Sequence, residues 1–159
     1  MATSEQGNQN GQYIHRIALP YRIQYEKPRT VAYPAEGSSY LGIPCGIART
    51  NAMKALQVGG YDDHIHILLA MPPSMPISKA VQLLKGASSR WIHETDNDMA
   101  AFAWQDGYGA FTVGVSQIAD TVRYIEGQRE HHRTKSFQEE YVHFLRKHGV
   151  EYDERYVWG

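Results

Sequence analysis

His64 and His66 stand one residue apart in the run Asp62-Asp63-His64-Ile65-His66-Ile67-Leu68-Leu69-Ala70-Met71, which closes on Pro72-Pro73. The run reads as a strand. Successive side chains of a strand point to opposite faces, so His64, His66 and Leu68 share one face, while Ile65, Ile67, Leu69 and Met71 form a core face. Two imidazoles on one side of a strand can hold one divalent ion, and histidine is the commonest protein metal ligand. Two solvated histidines on the wet face of a half-buried strand would read the same way, so the pair does not decide alone. Further along, Ile118, Val122 and Ile125 recur at helical spacing. On that helix Tyr124 and Gln128 fall together on a different side, with His131 and His132 continuing the row. The amide oxygen of Gln128 would complete a three-ligand set with His64 and His66, and oxygen and imidazole ligands suit Mg2+ or Mn2+. Tyrosine suits covalent phosphodiester chemistry, because a phosphotyrosine diester keeps the energy of the cleaved bond for a rejoining step. With 11 tyrosines and 8 histidines in the chain, however, a Tyr and a Gln one turn apart also arise by chance.

Elements must bring these side chains together. Tyr13 to Tyr25 is β-prone but interrupted by Pro20, which strands tolerate mainly at edges or bulges, and reads as a first strand. Glu26 to Ser39, with Pro28, Pro34 and Gly37, reads as a loop. A helix is predicted over Ser39 to Leu56, beginning properly near Pro44, since proline suits a first turn. Ala55 to Tyr61 is a short strand whose Gly59-Gly60 makes the turn of an antiparallel hairpin into the histidine strand. Pro76 to Glu94 spaces Ile77, Ala80, Val81 and Leu84 as a helix, whose other side carries Lys79, Lys85 and Arg90. Gly86, Ser88 and Ser89 would let a phosphate backbone come close to that side, although a solvated basic face looks the same. After a polar loop at Asp96 to Asp98, Phe102 to Gly114 reads as an aromatic strand. Its Trp104, Tyr108 and Phe111 suit stacking on unpaired bases, although in most soluble chains such residues are core. Ser116 is expected to cap a helix running to about His132. Ser136 to Gly149 places Phe137, Tyr141, Phe144 and Leu145 at helical spacing and stops at its glycine. The tail from Val150 is expected to dock its aromatics on a neighbouring surface.

At 159 residues the chain suits a single domain over residues 12–159, preceded by a polar leader, residues 1–11, that reads as disordered rather than as a signal peptide. Cys45 is the only cysteine, which excludes an internal disulfide and fits a reducing compartment such as the cytosol. No apolar run reaches the length needed to span a bilayer. A formal net charge of −1 argues against a binder that grips nucleic acid through a broad basic surface, so any such charge must be local. A histidine-triad nucleotide hydrolase would need a third histidine at the position of Leu68.

Four segments, in order, resemble the small single-tyrosine (HUH) transposases of the insertion-sequence-200/605 type, within the superfamily of REP-associated tyrosine transposases. They are Gly59-Gly60-Tyr61-Asp62-Asp63-His64-Ile65-His66-Ile67-Leu68-Leu69, Leu84-Lys85-Gly86-Ala87-Ser88-Ser89-Arg90-Trp91, Phe102-Ala103-Trp104-Gln105-Asp106-Gly107-Tyr108-Gly109-Ala110-Phe111, and Arg123-Tyr124-Ile125-Glu126-Gly127-Gln128 with His131-His132. The resemblance implies a ferredoxin-like α+β fold with a central antiparallel sheet and helices packed mainly on one face. It implies His64, His66 and Gln128 as ligands of Mg2+ or Mn2+ and Tyr124 as the nucleophile. It implies cleavage and rejoining of single-stranded DNA at the ends of a mobile element through a 5′-phosphotyrosine, in a bacterial or archaeal cytoplasm. DNA hairpins would be recognised, with Lys79, Lys85, Arg90, Trp104, Tyr108 and Arg123 as candidate contacts. The expected assembly is a homodimer whose sites combine the histidines of one subunit with the tyrosine of the other. The front of the chain departs from the family, since Ile17 to Pro34 carries three prolines and few lysines. A second reading keeps the fold and the DNA grip but supposes a domesticated hairpin-processing protein that no longer transposes; the presence of His64, His66, Tyr124 and Gln128 together weighs against it.

Overall fold

The histidine strand is paired along both edges. In the computed structural model, which describes residues 13–23, 39–61, 63–147 and 149–153, β3 (His64–Met71) lies between β1 (Tyr13–Ile23) and β2 (Lys54–Tyr61), antiparallel to each. On its other edge β1 pairs with β4 (Phe102–Trp104) and β5 (Gly109–Thr112), giving the order β2-β3-β1-β4 with β5 also against β1. In sequence, α1 (Ser39–Thr50) falls between β1 and β2, and α2 (Ile77–Thr95) between β3 and β4. This is the ferredoxin-like α+β arrangement. The chain continues through a 3-10 turn (Val115–Gln117) into α3 (Ile118–Glu126), α4 (Gln128–His131) and α5 (Phe137–Lys147). The expected leader, the loop after Glu26 and the last six residues lie outside the described residues.

One face of the sheet is a dry core. Ile65, Ile67, Leu69 and Met71 of β3 pack with Ile17 of β1, Ala48 of α1 and Ala80, Val81, Leu84 and Ile92 of α2. Each Ile, Leu, Val or Met side chain so buried is worth about 1.5–3 kcal/mol. The opposite face is covered too, by a smaller cluster in which Ile14, Leu68 and Ala70 meet Ile125, with Ile118, Val122 and Tyr124 of α3 against them. Helices therefore cover both faces, the two longest on the dry side. The histidine side of β3 is not wet: His64 and His66 are 0% and 1% exposed.

Several local expectations change. The first helix begins at Ser39, holds Pro44 within it and stops at Thr50. It stops where Ala52 takes a left-handed φ of 57°, after Asn51 turns its amide back onto the Ile47 carbonyl at 2.8 Å. Residues from Lys54 on are needed by β2, which pairs with β3 as far as Tyr61 opposite His64. Gly59 and Gly60 are thus inside the strand rather than in the turn. A Cβ on Gly59 would come within 2.6 Å of the Ile125 carbonyl oxygen, so the missing side chain is what lets α3 lie directly on β2. The aromatic strand is two strands. Tyr21 pairs with Trp104, a register that would bring His15 opposite residue 110, yet His15 pairs with Thr112. The extra two residues loop out across 105–108, where Gly107 has a φ of 79°. Lys85 on α2 holds that loop by donating from Nζ to the Gln105 and Gly107 carbonyls at 2.7 and 2.6 Å. The polar loop at Asp96–Asp98 is a 3-10 turn, Asn97–Met99, that buries Met99. Ser116 is not a cap but part of the 3-10 turn, where the Gly114 N–H donates to Gln117 Oε1 at 3.3 Å.

Candidate active site

Five side chains converge on the covered histidine face: His64, His66, Gln128, His132 and Glu140. His64 donates from Nδ1 to the Asp63 carboxylate at 2.7 Å, which leaves the lone pair of Nε2 facing Gln128 Oε1 at 3.1 Å. His132 donates from Nδ1 to the Lys135 carbonyl at 2.7 Å, so its neutral ring likewise turns a bare Nε2 inward, 3.0 Å from Gln128 Oε1 and 3.0 Å from Glu140 Oε2. In this orientation the Gln128 amide also donates from Nε2 to the Tyr124 carbonyl at 3.3 Å, which turns its Oε1 towards the two rings. Both ring nitrogens of His66, and Glu140 Oε2, have no hydrogen-bond partner, and His66 Nε2 is 3.7 Å from Glu140 Oε1. Burial lowers the pKa of His66 well below its ordinary value and lowers that of His132, which favours the neutral form of both rings. Acceptors that converge in this way repel one another unless a proton or a cation sits between them.

The residues fit a divalent ion. One ligand atom each from His64, His66 and Glu140 lies within 4.8 Å of the others. Atoms bound to a common ion at about 2.0–2.3 Å are at most about 4.5 Å apart, so small adjustments close the set. Two imidazoles, a carboxylate and an amide oxygen suit a hard or borderline ion. Asp63 on the far nitrogen of His64 fixes the tautomer that such a ligand needs. Burial raises the Asp63 pKa, but its hydrogen bonding, first of all with His64, outweighs that and holds it below the ordinary carboxylate value.

Glu140 and His132 were not among the site residues expected from the sequence. Glu140 had a signal. Ser136-Phe137-Gln138-Glu139 is a capping box, in which Ser136 donates from N to Glu139 Oε2 at 2.8 Å and Glu139 N donates to Ser136 Oγ at 3.2 Å. Glu139 therefore belongs to the cap. The next residue falls three after Phe137 and four before Phe144, on the apolar stripe, and a carboxylate there needs a partner. Burial raises its pKa, an effect that His64 and Arg16 oppose.

Tyr124 is beside this cluster, its ring 5.6 Å from that of His66 and its Oη buried without a hydrogen-bond partner. In the single chain Tyr124 and Gln128 face their own sheet; the exchange of tyrosines between subunits expected above is a property of a dimer. The sheet's second face is the surface on which Ile118, Val122 and Ile125 bury, so α3 brings its neighbouring Tyr124 against its own His66. Gln128 reaches its own His64 from α4, since Gly127 interrupts the helix between them. Within this chain the site is assembled in cis.

The candidate DNA contacts do not gather at this site. Lys79 and Arg90 are exposed on α2, on the far side of the sheet, where Lys79 donates to Gln82 at 3.1 Å. Lys85 is turned onto its loop carbonyls, and Trp104 packs on the dry core and donates to Ser88 Oγ at 3.0 Å. Tyr108 is 38% exposed in the loop between β4 and β5. Arg123 lies exposed on the tyrosine helix, paired with Asp120.

A ferredoxin-like sheet with a cluster of histidines beside a half-buried tyrosine defines the class. The chain belongs to the IS200-like transposase family, whose model matches residues 11–128. The transposases for insertion sequence element IS200 of Salmonella typhimurium LT2 and Salmonella typhi are each 38% identical over 73 residues, 43% of this chain and 47% of theirs. The chain thus aligns with about half the length of these relatives. Among solved structures, a candidate transposase from Deinococcus radiodurans R1 has a TM-score of 0.53 at 22% identity, over 80% of this chain and 98% of that one. A REP-associated tyrosine transposase bound to a REP hairpin has a TM-score of 0.54 at 12% identity, over 83% and 74%. These likenesses show the fold. Glu140 lies beyond the matched family segment, so its place in the site comes from the geometry alone.

Proposed function

We propose that this chain cleaves and rejoins single-stranded DNA at the ends of a mobile element, with Tyr124 as nucleophile and a divalent ion, Mg2+ or Mn2+, held by His64, His66 and Glu140 with Gln128 beside them. The observation that carries the reading is the set of facing acceptors next to an unpartnered, buried tyrosine hydroxyl. Tyr124 Oη attacks the scissile phosphorus, a P–O bond to tyrosine forms, and the bond to the 3′-oxygen breaks. The phenol loses its proton, the released 3′-oxygen gains one, and the 5′-phosphate stays on Tyr124. Reversal by another 3′-OH rejoins strands without a nucleotide cofactor. The ion, when bound, supplies Lewis-acid polarisation of the phosphoryl oxygen. Asp63 orients His64, and the dry packing of Ile118, Val122 and Ile125 holds α3 in place. A hairpin near the cleavage point is the proposed substrate feature, and the related fold bound to a REP hairpin supports it. Lys79 and Arg90, away from the chemistry, are proposed as contacts to a hairpin's phosphates.

Labelled single-stranded DNA from the flanks of the protein's own gene, incubated with the protein and Mg2+ or Mn2+, should give a denaturant-resistant protein–DNA adduct whose tyrosine maps to position 124. Adduct at another tyrosine, or none with any flank strand and either ion, overturns the reading.

A further inference from the structure

Arg16 is a cation in an unusual place. It lies in the interior of β1, opposite Leu68 and two residues from Ala18, which pairs with His66. Its side chain projects to the same covered face as the histidines and is 6% exposed. Its Nε is buried with no hydrogen-bond partner. Buried charges are normally paired and saturated with hydrogen bonds, and an arginine needs five donors satisfied. What surrounds this one is mostly aromatic. The guanidinium carbon is 3.9 Å from the Phe144 ring centroid, 4.8 Å from that of Tyr124 and 5.7 Å from that of Phe111, all within cation–π range. Glu140 attracts it electrostatically, but burial prevails and lowers its pKa to about 10.

These rings come from three different elements: Phe111 from β5, Tyr124 from α3 and Phe144 from α5. A planar cation between ring faces favours particular ring orientations, because the attraction depends on the cation lying over the face. Phe111 and Phe144 are themselves in contact, with centroids 4.2 Å apart, and so can serve as a common backing for the guanidinium. The Tyr124 ring is the third ring within reach of it. Its other ring neighbours are His66 at 5.6 Å and His131 at 5.7 Å, both edge-on, and its hydroxyl makes no hydrogen bond to hold its angle. Beside the aliphatic packing of this ring on the cluster of Ile14, Leu68, Ala70 and Ile125, the Arg16 guanidinium lies over its face, 4.8 Å from the centroid.

We infer that Arg16 is a positioning residue for strand cleavage, clamping the Tyr124 ring against the Phe111–Phe144 backing so that Oη is aimed at the phosphate of single-stranded DNA. The inference rests on the proposed role of Tyr124. A merely structural role predicts something else. An arginine that only packed the core would take stability with it when removed. One retained for aim, at a cost in buried charge, would not, since replacing a poorly satisfied buried ion by an apolar residue of similar volume is often neutral or stabilising.

The test uses the full chain with Arg16→Met, which keeps length and apolar bulk, and Arg16→Lys, which restores a cation over the rings. Wild type, both variants and Tyr124→Phe are compared by thermal unfolding, by affinity for a hairpin oligonucleotide from the gene's flank, and by the single-turnover rate of adduct formation at saturating DNA. The expected result is an Arg16→Met protein as stable as wild type, with unchanged hairpin affinity and an adduct rate lowered about 10- to 100-fold, the scale of a misaimed nucleophile. Arg16→Lys should recover most of that loss. A fluorotyrosine resonance, assigned to residue 124 by its absence in Tyr124→Phe, should move in Arg16→Met and return towards the wild-type position in Arg16→Lys. This readout does not need activity. If wild type makes no adduct, the parent reading fails, while a resonance that follows the charge at residue 16 still upholds the clamp. Wild-type adduct with an Arg16→Met rate within about twofold, a stability loss matching the activity loss, or an unmoved resonance overturns the inference.

Discussion

Both faces of the histidine strand are buried, and for opposite reasons. Between α1, α2 and the sheet, the buried residues are apolar almost throughout, and each contributes by leaving water. Between α3–α5 and the sheet, the buried set includes His64, His66, Arg16, Gln128 and Glu140, with Arg16 Nε, both nitrogens of His66, the Tyr124 hydroxyl and Glu140 Oε2 left without hydrogen bonds. Burial there works against the residues it covers. The first face makes the fold stable, and the second uses that stability to hold polar groups in an arrangement they would not keep alone. The difference teaches where to look for chemistry in this domain: at the dry-looking surface whose occupants are chemically unsuited to dryness.

The sharpest way to separate the faces is Tyr124→Phe. Adduct formation should fall to background on denaturing gels, while unfolding by denaturant is unchanged or shifts slightly upward, because the substitution removes a buried hydroxyl that makes no hydrogen bond. The converse is Leu84→Ala on the dry side, which should cost about 2–5 kcal/mol in denaturant unfolding. Manganese affinity by calorimetry at a temperature where the variant is folded should stay within a factor of about two, since the sheet lies between Leu84 and the cluster. Glu140→Gln comes next. Manganese affinity should drop at least about tenfold while the metal-free protein loses no stability, because one of several facing acceptors is neutralised. A Glu140→Gln protein that binds manganese normally would remove Glu140 from the ligand set and return the third place to Gln128 alone. The smallest effect is on pH. The folded pKa of His66 lies well below 6.5, as it does in direction for His132, so below about 6.5 the unfolded chain binds more protons than the folded one. Stability of the metal-free protein should be flat from about pH 8 to 7 and fall as pH drops through 6.5 and below. His66→Ala should flatten that slope in denaturant titrations at pH 7.5 and 5.5.

The dry face was the readable one. Alternation in Ile65, Ile67, Leu69 and Met71, and the three- and four-residue spacing of Ala80, Val81 and Leu84, are periodicities that only one packing satisfies. On the other face the same rules pointed outward: imidazoles, an arginine and a glutamine at alternate or helical positions look like solvated side chains, since nothing local says that later helices will cover them. The Tyr124–Gln128 spacing survived because a one-residue break at Gly127 still leaves them a turn apart. Glu140 needed the capping box to be recognised first. Gly59-Gly60, read as a turn, illustrates the same gap, because close approach by a helix more than sixty residues on leaves no mark in the neighbouring sequence.

That glycine carries a consequence for how such a protein decays. One base change turns a glycine codon into an alanine codon, and the methyl group so added at residue 59 would press on the Ile125 carbonyl of the tyrosine helix. Every histidine, the tyrosine and the dry core would be inherited intact, and only the fit between helix and strand would be lost. A lineage could thereby pass on a folded, DNA-gripping protein whose scissors no longer meet, with no scar in any residue that does the cutting.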